Sequence, residues 1–157
     1  MRAKTKKTIK RMSWIAFFIY LCLMVYFLFI CERLGRVPNQ TYRYNIVPFE
    51  EIRRFWNYRE SIGLNGVLLN LAGNVVCFIP LGFVLPVLSN RRLKFFSVLF
   101  ISCTTSVMVE LIQLYTKLGS CDVDDVILNT CGGIVGYILF AICNAIYCFV
   151  NKLSKRK

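Results

Sequence analysis

The chain is 157 residues long, is 57% apolar with 13 phenylalanines, and has a mean hydropathy of +0.56. The core of an ordinary soluble domain uses less apolar material, so this composition argues against a soluble protein and predicts side chains that face lipid. The net charge of +12 fits basic residues at the ends of membrane helices, and no nucleic-acid motif accompanies it. We therefore expect the lipid bilayer, and no nucleic acid, as a partner.

Long apolar stretches predict four transmembrane helices, because a helix needs about 20 residues to cross the hydrocarbon core. The fold class we predict is an all-α membrane protein, a four-transmembrane-helix bundle. The predicted spans are residues 13–31, 63–88, 95–115 and 125–150. The first span follows a basic stretch, but its apolar region is too long for a signal peptide and no small-residue cleavage site follows it, so we expect it to be retained.

Basic residues are distributed unequally between the predicted connections. Residues 1–12, the loop 89–94 and the tail 151–157 together hold most of the Lys and Arg residues. Basic residues near helix ends resist translocation, so this bias predicts an N-in/C-in topology with both termini in the cytoplasm. The segment 32–62 and the acidic loop 116–124 would then lie outside.

The external segment contains a pattern typical of an amphipathic helix. Phe49, Ile52, Phe55 and Trp56 recur at helical spacing after Pro48, which suits a first helical position, and arginines take the other side. We predict an interfacial helix between spans one and two, with its aromatic residues at the level of the lipid headgroups. The alternative is a solvated loop with scattered aromatic residues.

Polar side chains of spans two, three and four and of the acidic loop collect in the outer half of the predicted bundle. The candidate lining residues are Asn70, Asn74, Glu110, Gln113, Asp122, Asp125 and Asn129. Such a collection within reach of the external space predicts an outward-facing acidic and amide pocket. The alternative is that these amides and carboxyls only join the helices by hydrogen bonds.

The carboxylates are also the candidates for chemistry. Glu110 and Asp125 are candidate catalytic residues, and Asp122, Asp124 and Asp125 are candidate ligands of a divalent cation such as magnesium. Asp124 is alternatively expected to point to water. We expect no other cofactor, and catalytic Ser-His or Cys-His pairs are excluded because the chain contains no His.

Small residues and cysteines carry weaker signals. Pro80 predicts a bend in span two, since proline removes a backbone donor. Three glycines of span four predict close contact with a neighbouring helix. They are Gly132, Gly133 and Gly136. The eight cysteines include no CxxC pair, which argues against a zinc site, and a disulfide between Cys31 and Cys121 remains open.

Four motifs resemble the VanZ-like family in order and in spacing, over about residues 45–140. They are Asn45-Ile-Val-Pro48-Phe49, the stretch from Asn70 through Gly73-Asn74 to Pro80, Glu110-Leu-Ile-Gln113, and the stretch from Asp122-Val-Asp124-Asp125 through Asn129 to Gly132-Gly133 and Gly136. The resemblance implies a multi-pass membrane protein of the bacterial plasma membrane. It also implies a connection with resistance to the antibiotic teicoplanin, which some members confer.

Three classes of function stay open. The favoured one is a non-catalytic cell-envelope protein whose pocket engages a lipid-linked cell-wall intermediate or a glycopeptide antibiotic at the outer leaflet. The second is an intramembrane transferase or hydrolase that acts on an envelope lipid with the help of a metal ion. The third is a helix-bundle partner subunit of another membrane protein.

Overall fold

The computed structural model describes residues 3–30, 41–89 and 92–154. Four of its helices are long and apolar enough to cross a membrane. They are α1 (Ala3–Val25), which continues as a π-helical turn (Tyr26–Ile30), α4 (Leu64–Leu88), α5 (Phe95–Thr116) and α6 (Val123–Ser154). The predicted all-α fold with four candidate membrane spans is therefore confirmed, whereas the N-in/C-in orientation stays a prediction.

The connection between α1 and α4 folds into short elements against the start of α6. These are β1 (Tyr44–Asn45), α2 (Glu50–Asn57) and α3 (Arg59–Ile62), and β2 (Cys121–Asp122) lies between α5 and α6. β1 and β2 pair in parallel. α2 begins two residues after Pro48 and not at it, because Phe49 adopts a left-handed conformation with φ 65°.

Glycines allow α4 and α6 to approach each other closely. A Cβ atom on Gly82 would overlap the carbonyl oxygen of Gly133, and one on Gly136 would overlap the carbonyl oxygen of Ile79. Gly132 faces α4 in the same way, and Gly133 also contacts Ser102 of α5. The three glycines of α6 thus form the close contact with neighbouring helices that their spacing predicts.

The outer surface of the bundle is apolar, as a membrane requires. Phe18 is 67% exposed and Phe96 is 77% exposed, whereas Phe78 and Val98 lie fully buried between the helices. α4 runs as one helix through Pro80 and Pro86. The exposed phenylalanines are suited to contact lipid acyl chains.

Two hydrogen bonds join α1 and its π-helical turn to the rest of the bundle. The Tyr20 hydroxyl donates to the carbonyl oxygen of Cys77 in α4 at 3.0 Å. The Gln113 side-chain amide of α5 donates to the carbonyl oxygen of Leu28 at 2.8 Å. The first helix is therefore attached to both α4 and α5.

Candidate functional site

Asp122 connects three separate parts of the chain. Its backbone N–H donates to a carboxylate oxygen of Glu110 in α5 at 3.0 Å, and its own carboxylate accepts from the side-chain amide of Asn45 at 3.2 Å. The same carboxylate oxygen accepts from the backbone N–H of Asp124 at 2.8 Å. Glu110 and Asp122 are both buried, so these bonds fix the loop between α5 and α6 against β1.

Asp124 fixes the position of α2. Its two carboxylate oxygens accept from the backbone N–H groups of Phe49, at 2.5 Å, and Ile52, at 3.1 Å. The first N–H groups of a helix have no partner within the helix, and a carboxylate is favoured there by charge as well as by hydrogen bonding. The expectation that Asp124 points to water is therefore wrong: it is only 1% exposed.

Asp125 makes a different contact from its two acidic neighbours. Its carboxylate accepts a hydrogen bond from the side-chain amide of Asn74 in α4. Asn70, one turn earlier in α4, donates to the carbonyl oxygen of Gly66 in its own helix and is exposed. Asn70, Asn74 and Asp125 line one cavity, together with Asp122 and Asp124.

The remaining predicted lining residues lie elsewhere in the bundle. Asn129 of α6 donates to the hydroxyl oxygen of Ser106 in α5 at 2.9 Å, and Gln113 contacts the π-helical turn. Neither residue lines the cavity, and nor does Glu110. The structure thus divides the predicted residues into a cavity group and a group of buried contacts between segments.

The cavity has a volume of about 740 Å³ and is amphipathic. Its polar part is formed by the segment between α1 and α4, the loop before α6 and the N-terminal parts of α4 and α6. Its apolar part is formed by α1, the π-helical turn and α4. The polar side chains are Arg43, Glu51, Arg54, Asn70, Asn74, Ser120, Asp122, Asp124 and Asp125. The apolar part includes Leu23, Met24, Phe27, Leu28, Leu69, Val76 and Pro80.

Three charged residues of this lining were not predicted: Arg43, Glu51 and Arg54. The amphipathic pattern of residues 48–56 placed the arginines of that segment on the side of α2 away from the aromatic residues, without indicating which of them would reach the bundle. Arg54 forms an ion pair with Glu51 at 2.6 Å. The position of Arg54 on the charged side of the predicted interfacial helix was the one signal in the sequence for this part of the lining.

Two acidic groups in the polar part have raised pKa values. Burial raises the pKa of Asp122, and the neighbouring charge of Asp124 adds to this, although hydrogen bonds from Asp124 and Asn45 oppose it. Burial also raises the pKa of Glu51 against the effect of the Arg54 guanidinium. These directions are those expected where carboxyl groups lose water and lie near one another.

The predicted cation ligands have different hydrogen-bond partners. Asp122 and Asp124 bind different parts of the external segment, and the residues that the structure describes include no group of three or more His, Cys, Asp or Glu side chains that could hold a metal ion. The disulfide prediction involves Cys31, which lies outside the described residues. Its proposed partner Cys121 lies in β2.

Comparison with known proteins places this architecture in a family. A family model described as VanZ/LLP1 matches residues 17–144. Protein VanZ of Enterococcus faecium is 32% identical over 100 residues, which cover 64% of this chain and 53% of that protein, so the chain spans about half the length of this relative. No solved structure matches the chain. The chain therefore belongs to the VanZ/LLP1 family of multi-pass membrane proteins.

Proposed function

We propose that this protein binds a lipid-linked component of the cell envelope in its amphipathic cavity and thereby raises tolerance to teicoplanin. It acts in the bacterial plasma membrane and without catalysis. The observation that carries the proposal is the composition of the cavity, in which charged and amide side chains at one end adjoin an apolar region between α1 and α4. An amphiphile matches both parts at once.

The position of the polar part supports this function. It is formed at the starts of α4 and α6, which lie on the same side of the bundle as the external segment. With the predicted N-in/C-in orientation, this side faces out of the cell, at the outer leaflet. Lipid-linked cell-wall intermediates and glycopeptide antibiotics meet at that leaflet, which gives the cavity access to both.

The contacts of the other carboxylates favour binding over catalysis. Glu110 accepts a backbone N–H from Asp122, and Asp124 accepts two N–H groups from α2, so both stabilise the structure around the cavity. Glutamine at position 110 still offers an oxygen to that N–H. The proposal therefore expects Glu110→Gln to remain functional, whereas a general base at this position could not be replaced by an amide.

Susceptibility assays test the proposal directly. A deletion strain is complemented with wild type, Asp125→Asn, Glu110→Gln or the control Glu60→Gln, whose side chain is 89% exposed and outside the cavity. At equal membrane levels, we expect Asp125→Asn to be as sensitive to teicoplanin as the deletion, and the other variants to restore tolerance. Vancomycin, measured in parallel, reports any general envelope defect. Equal teicoplanin tolerance in the deletion and wild-type strains would contradict the proposal.

A further inference from the structure

The polar part of the cavity is lined by more acidic than basic side chains. Its lining includes four carboxyl groups and two guanidinium groups. These are Glu51, Asp122, Asp124 and Asp125, against Arg43 and Arg54. A ligand of this site is therefore favoured if its headgroup carries a positive group.

Asp125 stands where the polar part meets the apolar part. One turn further along α6, the next cavity-lining side chain is Leu128, and beyond Asn74 in α4 the lining continues with Val76 and Cys77. Arg54 is held by Glu51 in an ion pair on α2. Among the acidic side chains of the lining, Asp125 is therefore the one next to the apolar part of the cavity.

The apolar part of the cavity includes exposed side chains of α1, the π-helical turn and α4. Four of the side chains that line it are also between 45% and 60% exposed on the surface of the bundle. They are Leu23, Phe27, Leu69 and Val76. An alkyl chain can therefore reach the cavity sideways from the membrane, between α1 and α4. This favours a lipid over a small water-soluble cation.

We infer that the cavity binds a membrane lipid whose headgroup carries an ammonium group, with the Asp125 carboxylate as the partner of that group. The inference rests on the proposed function and specifies the chemistry of its ligand. An ammonium has three N–H donors, and a carboxylate has about four lone-pair sites, so the Asp125 carboxylate can accept from an ammonium as well as from Asn74. Hydrogen bonds between two charged groups are stronger than those between neutral groups.

Lipid titrations of the purified full chain, followed by native mass spectrometry, test the inference. The probes are phosphatidylethanolamine and its N-acetyl derivative, which keeps the phosphate and both acyl chains but lacks the ammonium charge. We expect wild type to bind phosphatidylethanolamine about tenfold more tightly, as one charge-assisted contact allows. Asp125→Asn should lose this preference, and Glu60→Gln should keep it. Equal or tighter binding of the N-acetyl lipid by wild type would overturn the inference.

A cavity-filling variant separates this inference from the proposed function. Gly73 lines the cavity and a Cβ atom added to it meets nothing within 4 Å, so Gly73→Trp is chosen to place a bulky side chain at the cavity. Gly73→Trp could abolish binding of both lipids while wild type binds phosphatidylethanolamine and its N-acetyl derivative equally. In that case the cavity binds lipid, and only the role of the ammonium group is refuted. If Gly73→Trp leaves both lipid binding and teicoplanin tolerance unchanged, both proposals are refuted. The comparison of the two lipids is made on wild type, so its result does not depend on whether any variant folds.

Discussion

At the scale of single residues, the three aspartates at the start of α6 have three different partners. Asp122 accepts from Asn45 and from the backbone, Asp124 accepts from the start of α2, and Asp125 accepts from Asn74 within the cavity. Their sequence spacing alone does not distinguish these roles, because Asn45, the start of α2 and Asn74 each lie more than 50 residues away from the aspartate that they contact. Substitutions at the three positions should therefore have different consequences.

Asp124→Ala should destabilise the protein by weakening the attachment of α2. The change leaves the N–H groups of Phe49 and Ile52 without their carboxylate partner, and the loss of such a helix cap costs about 0.5–2 kcal/mol. The free energy of unfolding, measured by SDS denaturation in mixed micelles, should fall by that amount. Proteolysis within residues 50–57 should become faster. Glu60→Ala serves as the exposed control, and an equal effect of both substitutions would contradict the assigned role of Asp124.

Asp122 should make stability depend on pH in a defined direction. Burial raises its pKa above the ordinary value of 3.8, so the folded protein retains a proton that the unfolded chain loses. The stabilisation is complete below 3.8 and is lost as the pH rises through the pKa of the folded state. The free energy of unfolding of wild type should therefore decline more steeply across this range than that of Asp122→Asn. If the free energies of unfolding of wild type and Asp122→Asn changed in parallel with pH, Asp122 would not contribute to this pH dependence.

At the scale of the elements, the contact between α4 and α6 depends on glycine. Gly132→Ala and Gly136→Ala each place a methyl group against a backbone carbonyl of α4, and overpacking of this kind costs about 1–3 kcal/mol. Gly73→Ala is the matched control in α4, where an added Cβ meets open space. SDS denaturation should show both α6 variants destabilised and Gly73→Ala unchanged or slightly stabilised, since alanine favours a helix. Tolerance of Ala at Gly132 and Gly136 would contradict the close packing.

The helices could be predicted from the sequence because length and hydropathy are local properties of the chain. The outer polar group could be predicted in part, since helix direction alone places Asn74 and Asp125 at the same end of the bundle. The capping of α2 by Asp124 could not, because it joins residues 75 positions apart. The docking of Tyr20 onto α4 and the entry of Arg43 and Glu51 into the lining also depend on long-range contacts that no periodicity reveals.

At the scale of the whole molecule, the segment between α1 and α4 lines one cavity together with α1, α4 and α6. Residues 43–54 supply charges, α6 supplies Asp125, and α1 and α4 supply an apolar surface. The bonds made by Glu110, Asp122 and Asp124 hold these parts together. The arrangement supports a protein that holds an amphiphile at the membrane surface, with its headgroup and chain in separate environments.

The measurement that tests this account most directly is the teicoplanin susceptibility of a deletion strain that expresses Gly73→Trp. The control is Phe96→Trp, which adds a similar ring at a site that is 77% exposed on α5 and outside the cavity lining. At matched membrane levels, the account predicts that Phe96→Trp restores tolerance and that Gly73→Trp leaves the strain as sensitive as the deletion. Full tolerance with Gly73→Trp would show that the cavity is not the functional site.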